Sequence, residues 1–486
     1  MADAIKGLKP ALLWKYFAEI SAIPRGSKNE TAISKYLVET SRKLGLEVTQ
    51  DPVGNVVARK PAAAGLEHLP MVCLQGHMDM VCEKNKDTAH DFLKDPIELV
   101  RKGNVLMANG TTLGADNGVA VATSLAIMED KSLQHGPLEF LFTVDEETGL
   151  TGANNLQAGF LQSKILLNLD SEEEGALYVG CSGGRDSTGT WAIEVEDGPA
   201  GTVPLLLKVT GLKGGHSGLE IHQGRGNALK IITRVLIGLA GLGARLVRVD
   251  GGNKRNAIPR EAEALVFLPK AKLEDANDLV SAMGTAIKAE LVSMEPNLSV
   301  TAESPKGVRK GKVVKRGLQR RLLLTLAGLP HGVLKMSADI PGLVETSTNL
   351  AIIQTGKKAI LVQTSQRSSV GSEIDEAAQM VRAVFELGGA TVTGSDGYPG
   401  WKPNTASPIL GVAKSTYQSL YGREPEVKAV HAGLECGIIG EKYPGMDMVS
   451  FGPTLEGVHS PDEKIYIDTV DKFWTFLLAM LKNVKG

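Results

Sequence analysis

Apolar and polar residues follow two different periods along this chain, and each period predicts one kind of secondary structure. Apolar residues three or four positions apart predict helices over residues 10–22, 29–44, 117–128, 227–242 and 470–482. Apolar runs and apolar-polar alternation predict strands over residues 70–74, 138–144, 165–169, 203–209 and 262–268. Ser27 and Glu30 have the S-x-x-E spacing of a capping box, which predicts the start of the second helix.

The order of these elements predicts two kinds of domain. Up to about residue 185, strands alternate with helices, which is typical of an α/β sheet layered by helices. Near Gly183 the pattern changes to alternating strands around a long helix, which indicates an inserted α+β domain. We therefore predict a catalytic domain with a mixed sheet, formed by residues 1–185 and 395–486, and a lid domain over residues 186–394.

Composition narrows the class of partner. The 486 residues are 43% hydrophobic, and 53 basic residues nearly balance 55 acidic ones. Such a small net charge predicts no binding to nucleic acid or to an anionic membrane, and favours a small molecule or a peptide. The four cysteines form no CxxC pair, and the N-terminus lacks the features of a secretion signal, so we expect a protein of the cytoplasm.

Acidic and histidine side chains follow three of the predicted strands. His77 and Asp79 come directly after the first strand, and their spacing of two places them on the same face of an extended chain. Glu146 and Glu147 follow the second strand, and Asp170 follows the third. Because ligand sites in open α/β sheets form at the carboxyl ends of the strands, we expect these side chains to meet.

Two further residues complete a set of metal ligands. Asp116 begins a predicted helix, where an N-cap is the ordinary interpretation, but the surrounding glycines indicate a close approach of the backbone to another group. His459 lies between Gly457 and Pro461, far downstream. The predicted ligands of two divalent cations are His77, Asp116, Glu147, Asp170 and His459. Imidazole and oxygen donors without cysteine favour Zn²⁺, with Co²⁺ or Mn²⁺ as alternatives, and two such ions are typical of hydrolases.

Eight segments carry a resemblance to a known family. They are residues 77–81 (HMDMV), 111–118 (TTLGADNG), 170–175 (DSEEEG), 214–218 (GGHSG), 222–228 (HQGRGNA), 256–260 (NAIPR), 431–437 (HAGLECG) and 459–463 (HSPDE). Together they resemble the bacterial aminoacyl-histidine dipeptidases, a family within the dinuclear zinc peptidases and deacylases that include aminoacylase and the carnosinases. The resemblance implies hydrolysis of Xaa-His dipeptides.

The resemblance also implies a role for each metal ligand. Asp116 would bridge the two cations, with His77 and Asp170 on one ion and Glu147 and His459 on the other. It further implies a cis peptide bond between Asp116 and Asn117.

Residues beyond the ligands receive roles in the same way. Asp79 would orient the imidazole of His77. Glu146 would act as the general base that takes a proton from the attacking water. His216, from the predicted lid, would stabilise the oxyanion, and Asn256 and Arg367 would bind the substrate. Relatives of this kind often pair, which implies a homodimer, and the lid is expected to close over the dipeptide.

Three alternatives stay open at this point. An N-acyl amino acid deacylase would use the same ligands and base with a different pocket. A metal-binding protein without turnover is disfavoured by Glu146, which the metal site does not require as a ligand. A cysteine hydrolase would use Cys436 and His431, although no oxyanion-forming motif accompanies them. His222, His431 and Glu435 look characteristic of the family, but no separate chemistry follows from the sequence.

Overall fold

The described residues, 2–308 and 311–485 of a computed structural model, form two compact units. Unit 1 comprises Met1–Gly180, Trp401–Ala429 and Leu434–Gly486, and unit 2 comprises Cys181–Gly400 and Val430–Gly433. The predicted domains, a catalytic domain of residues 1–185 and 395–486 and a lid domain of residues 186–394, stay a prediction.

The first part of the chain alternates helices and strands. Its elements are α1 (Ala2–Ile5), α2 (Ala11–Ser21), α3 (Thr31–Lys43), β1 (Glu47–Gln50), β2 (Val56–Lys60), β3 (Val72–His77), β4 (Leu99–Lys102), β5 (Val105–Ala108), α4 (Ala115–Glu129), β6 (Leu138–Thr143), α5 (Glu146–Gly149), α6 (Thr151–Asn155), β7 (Ile165–Asn168) and β8 (Ala176–Cys181).

The middle of the chain is richer in strands. Its elements are β9 (Gly183–Ala192), β10 (Val195–Asp197), β11 (Thr202–Thr210), β12 (Gly215–His216), α7 (Ala228–Gly241), β13 (Arg245–Gly251), β14 (Ala257–Ile258), β15 (Ala262–Pro269), α8 (Leu273–Leu291), β16 (Ser299–Glu303), β17 (Lys312–Val314), α9 (Arg316–Gly328), β18 (Gly332–Met336), β19 (Val344–Thr355), β20 (Ala359–Ser368), α10 (Gly371–Leu387) and β21 (Thr391–Gly394).

The last part of the chain returns to shorter strands between helices. Its elements are α11 (Pro408–Tyr421), β22 (Glu426–Val430), α12 (Glu435–Lys442), β23 (Asp447–Ser450), β24 (Leu455–Glu456), β25 (Lys464–Tyr466) and α13 (Ile467–Asn483).

Unit 1 is formed around a mixed sheet with strand order β1-β2-β6-β3-β7-β23-β8-β22. Strand β3 runs parallel to both β6 and β7, and β7 runs parallel to β23, whereas β2 and β6 are antiparallel. Every residue of β3 and β6 is buried, as expected for central strands of a layered sheet, and α4 packs against β3. The predicted α/β class with a mixed sheet is confirmed.

Unit 2 contains an antiparallel sheet with strand order β16-β11-β15-β13-β19-β20-β9-β21. Its buried core includes Trp191 of β9 and Phe385 of α10, whose rings meet edge to face at 5.8 Å between centroids. Asn227 caps α7 by accepting hydrogen bonds from the backbone N–H groups of Leu229 and Lys230. The predicted α+β character of the insertion is therefore confirmed.

The predicted capping box at α3 is wrong. The helix begins at Thr31, and Oε1 of Glu30 accepts hydrogen bonds from the N–H groups of Lys28 and Asp145 at 2.7 and 3.0 Å. Ser27 instead donates to Oδ2 of Asp79 at 2.8 Å. Both side chains thus form hydrogen bonds with the segments that follow β3 and β6 and do not cap α3. Among the described residues, no helix is long and apolar enough to span a membrane.

Candidate metal centre

The carboxyl ends of three parallel strands place four of the predicted residues at one edge of the sheet in unit 1. His77 is the last residue of β3, Glu146 and Glu147 begin α5 three residues after β6 ends, and Asp170 follows β7 by two residues. Asp116 lies in the first turn of α4. The peptide bond between Asp116 and Asn117 is cis, as expected from the resemblance.

The two oxygens of Asp116 face two different histidines. Oδ1 lies 3.1 Å from Nε2 of His77, and Oδ2 lies 3.1 Å from Nε2 of His459. Each imidazole also contacts a second carboxylate: Nε2 of His77 lies 3.3 Å from Asp170, and Nε2 of His459 lies 3.0 Å from Glu147. The five predicted ligands therefore come together as two groups that share Asp116.

The donor atoms fit divalent cations. Ligand atoms about 2.0–2.1 Å from a tetrahedral zinc ion lie roughly 3.3 Å from one another, and the contacts above are close to this spacing. Oε1 of Glu147 and Oδ1 of Asp170 are buried and make no hydrogen bond with the described residues. A buried carboxylate oxygen is costly to desolvate without a compensating partner, so the site has unused capacity for positive charge.

The electrostatics point the same way. Burial raises the pKa of Asp170 to about 6, although the His77 imidazole opposes this shift. Burial also acts to raise the pKa of Asp116, but His459 and His77 hold it below its usual value. Asp116 and Glu147 together raise the pKa of His459 to about 11. The carboxylates thus stabilise positive charge at this site. Bound cations would supply that charge and leave both imidazoles neutral.

Asp79 connects the two groups behind His77. Its carboxylate lies 3.2 Å from Nδ1 of His77 and accepts hydrogen bonds from the backbone N–H groups of Glu146 and Glu147 at 3.1 and 3.3 Å. The side chain is fully buried. Asp79 therefore binds the first turn of α5 beside the His77 imidazole, a contact that the sequence alone did not indicate.

A buried carboxylate lies deeper in the sheet. Glu435, the first residue of α12, accepts hydrogen bonds from Gln75 and Thr143, both at 2.6 Å. These two residues belong to β3 and β6, the strands that end at His77 and before Glu146. Burial raises the pKa of Glu435 to about 7. Glu435 thus joins these two strands from behind, a role that its sequence motif did not reveal.

Unit 2 contains the remaining predicted residues. His216 of β12 pairs in register with Ala257 of β14, so His216 and Asn256 lie near one another. Both line an open cleft of about 910 Å³ within this unit. Nδ1 of His216 accepts hydrogen bonds from the backbone N–H groups of Gly218 and Leu219 at 3.2 and 3.0 Å. Because Nδ1 accepts, the imidazole proton must lie on Nε2.

Arg367 and His431 lie near His216 in unit 2. Arg367 is buried on β20, and its Nη1 donates to the hydroxyl of Tyr398 at 2.8 Å. Nε2 of His431 lies 2.7 Å from Oγ of Ser347. Cys436, in unit 1, is fully buried on α12, which removes its thiol from substrate and leaves the cysteine-hydrolase alternative without support.

This metal-ligand geometry on a mixed α/β sheet is typical of a metallohydrolase, and comparison with known proteins gives the family. The profile described as peptidase family M20/M25/M40 matches residues 73–483. The chain therefore belongs to this family and is a hydrolase of peptide bonds.

Individual relatives are similar over nearly the whole chain. The chain is 42% identical to the cytosol non-specific dipeptidase of Escherichia coli (strain K12), over 98% of each chain. It matches the crystal structure of aminoacylhistidine dipeptidase from Vibrio alginolyticus with 44% identity and a TM-score of 0.91, covering 99% of this chain and 98% of that one. Aminopeptidase PepT from Bacillus cereus ATCC 10987, at 17% identity and a TM-score of 0.57 over 98% and 99% of the two chains, shares the fold alone.

We predict that His216 stays neutral across the physiological pH range. Burial lowers its pKa to about 4, and the nearby Arg367 guanidinium lowers it further in the same direction. Nitrogen NMR of selectively labelled histidine should show a proton on Nε2 and no titration of His216 between pH 8 and pH 5. Arg367→Gln should move the titration upward, because it removes the positive charge. A wild-type midpoint near 6.5 would contradict the prediction.

Proposed function

We propose that this protein is a cytoplasmic dinuclear metallodipeptidase that hydrolyses Xaa-His dipeptides. The observation that carries the proposal is Asp116, whose two oxygens each contact a separate histidine that also contacts a second carboxylate. The substrate class and the compartment rest on the similar proteins, one named an aminoacylhistidine dipeptidase and the other a cytosol non-specific dipeptidase.

Two divalent cations, most simply Zn²⁺, would be held by five residues. They are His77 and Asp170 on one side, Glu147 and His459 on the other, and Asp116 between them. Such ions, when bound, polarise a peptide carbonyl and lower the pKa of water. Co²⁺ and Mn²⁺ suit the same nitrogen and oxygen donors.

Glu146 is the proposed general base. One of its oxygens lies within 4.8 Å of donor atoms of His77 and Glu147, so it is adjacent to the ligands. Burial raises the pKa of Glu146 well above its usual value, and Asp170 and Glu435 add to the rise while His77 opposes it. A carboxylate of raised pKa accepts a proton from the attacking water more readily and can pass it to the leaving amine.

His216 is proposed to stabilise the oxyanion through Nε2–H. A neutral imidazole held as the Nε2–H tautomer is a fixed donor, and a donor that needs no reorganisation suits the charge that develops on the carbonyl oxygen. Asn256 is exposed beside the same cleft, and Arg367 offers a buried guanidinium whose Nε has no hydrogen-bond partner among the described residues. Both are proposed to bind the dipeptide. The lid role of residues 186–394 and the homodimer stay predictions.

Metal content should distinguish the bridging ligand from a terminal one. Asp116→Ala removes the carboxylate shared by both groups, so we expect the purified chain to lose both ions and to unfold at lower temperature, since the ions bind the folded state. His459→Ala should lose only one ion. Elemental analysis with a calorimetric unfolding scan checks this. Asp462→Ala, an exposed acid in the same motif, should keep both ions. Two ions in Asp116→Ala would remove it from the bridge.

The base and its neighbour should respond differently to the same substitution. Glu146→Gln keeps the size of the side chain but cannot accept a proton, so kcat should fall by roughly 10²- to 10⁴-fold with both ions retained. Glu147→Gln, one residue away, should weaken binding of one ion. Steady-state kinetics and metal analysis on the same preparations test both. A Glu146→Gln variant as active as wild type would exclude it as the base.

A substrate panel tests the reaction itself. We expect the zinc-loaded protein to hydrolyse Xaa-His dipeptides, including carnosine, with a higher kcat/KM than N-acetyl amino acids. Dipeptides without histidine measure how strongly the protein prefers a C-terminal histidine. This comparison matters because one similar protein is named a non-specific dipeptidase and the other an aminoacylhistidine dipeptidase. Faster hydrolysis of N-acetyl amino acids than of every dipeptide would show a deacylase instead.

A further inference from the structure

One buried carboxylate binds the backbone of the loop that carries Asp116. Oε2 of Glu463 accepts hydrogen bonds from the N–H groups of Leu113 and Gly114 at 2.7 and 2.9 Å. Oε1 accepts from the N–H groups of Ala115 and Asp116 at 2.8 and 3.3 Å. Only 2% of Glu463 is exposed. Four consecutive amides therefore converge on one side chain, and this fixes the direction in which the Asp116 side chain leaves the backbone.

Glu463 comes from the same short segment as His459. The N–H of Glu463 is bonded to the carbonyl of Ser460 at 3.1 Å, so the segment forms a compact turn. His459 itself has a positive φ of 61°, an uncommon conformation for a residue with a side chain. The turn thus delivers a histidine to Oδ2 of Asp116 and a carboxylate to the backbone of the same residue.

A buried cation binds the opposite side of this loop. The guanidinium of Arg25, which is 2% exposed, donates from Nη2 to the carbonyl of Gly114. Its Nη1 donates to the carbonyls of Met78 and Asp79 at 3.2 and 3.0 Å, directly after His77. Arg25 therefore ties the end of β3 to the Asp116 loop.

The glycines around Asp116 make room for this cation. Gly114 has a φ of 68°, and a Cβ there would lie 2.6 Å from Nη2 of Arg25. A Cβ at Gly118 would lie at the same distance from the same atom. The close approach that the glycines indicate is thus an approach to Arg25, within the protein itself.

We propose that Arg25 and Glu463 are positioning residues that hold the Asp116 carboxylate in its bridging orientation before any cation binds. The inference rests on the proposed metal function of Asp116. These two side chains join three segments that carry proposed metal ligands. The segments contain His77, Asp116 and His459. A ligand held in place in advance loses less conformational entropy on binding, so the pair raises metal affinity.

The direct test is zinc titration of the chelator-stripped, full-length chain by calorimetry. Glu463→Gln keeps the size but leaves one oxygen for four amides, so we expect zinc affinity about tenfold weaker or more. Glu139→Gln is the matched control, because Glu139 is fully buried on β6 and accepts hydrogen bonds from Ser163 and Gln162 away from the proposed ligands. It should lose comparable thermal stability yet keep wild-type affinity. Wild-type affinity in Glu463→Gln would overturn the inference.

Amide exchange in the wild type gives a second test that needs no variant to fold. In the stripped chain, the amides of residues 113–116 should exchange as slowly as after addition of zinc. Fast exchange that slows only with zinc would overturn the inference, because the metal would then be ordering the loop. Wild-type protein that binds no zinc would overturn the proposed function itself, whereas normal wild-type binding with unchanged binding in Glu463→Gln overturns only the role of the positioning pair.

Discussion

The carboxylate of Asp116 and its two histidines form the contact that joins the two groups of predicted metal ligands in unit 1. Several acids are brought to one edge of the sheet, where burial makes their mutual repulsion expensive. Asp116 relieves part of this cost by presenting one oxygen to His77 and the other to His459 at 3.1 Å each. Oε1 of Glu147 makes no hydrogen bond with the described residues, and cations would complete the compensation.

The surrounding buried carboxylates hold the elements that carry the predicted metal ligands in place through hydrogen bonds. Asp79 holds the first turn of α5 beside His77, and Glu435 joins β3 to β6 from behind. In unit 2 the electrostatic environment is the reverse, since burial and Arg367 keep His216 neutral. The structure thus contains two contrasting environments, an acidic group of histidine and carboxylate side chains in unit 1 and a neutral imidazole in unit 2.

Much of this arrangement could be predicted because parallel strands bring their carboxyl ends to one edge. The residues that meet there, such as His77, Glu147 and Asp170, follow strands whose apolar runs are plain in the sequence. The partners of Arg25 and Glu463 are backbone groups far along the chain, which no local pattern can reveal. The capping box predicted at Ser27 and Glu30 was wrong for the same reason. Their hydrogen-bond partners, Asp79 and the N–H of Asp145, lie far along the chain.

Anomalous diffraction from zinc-loaded crystals of the full-length chain would show whether Asp116 bridges two cations. We expect two zinc peaks about 3.5–4 Å apart, one on each oxygen of Asp116, with His77 on one ion and His459 on the other. A single peak bound by one oxygen of Asp116, or zinc found only at other residues, would contradict it.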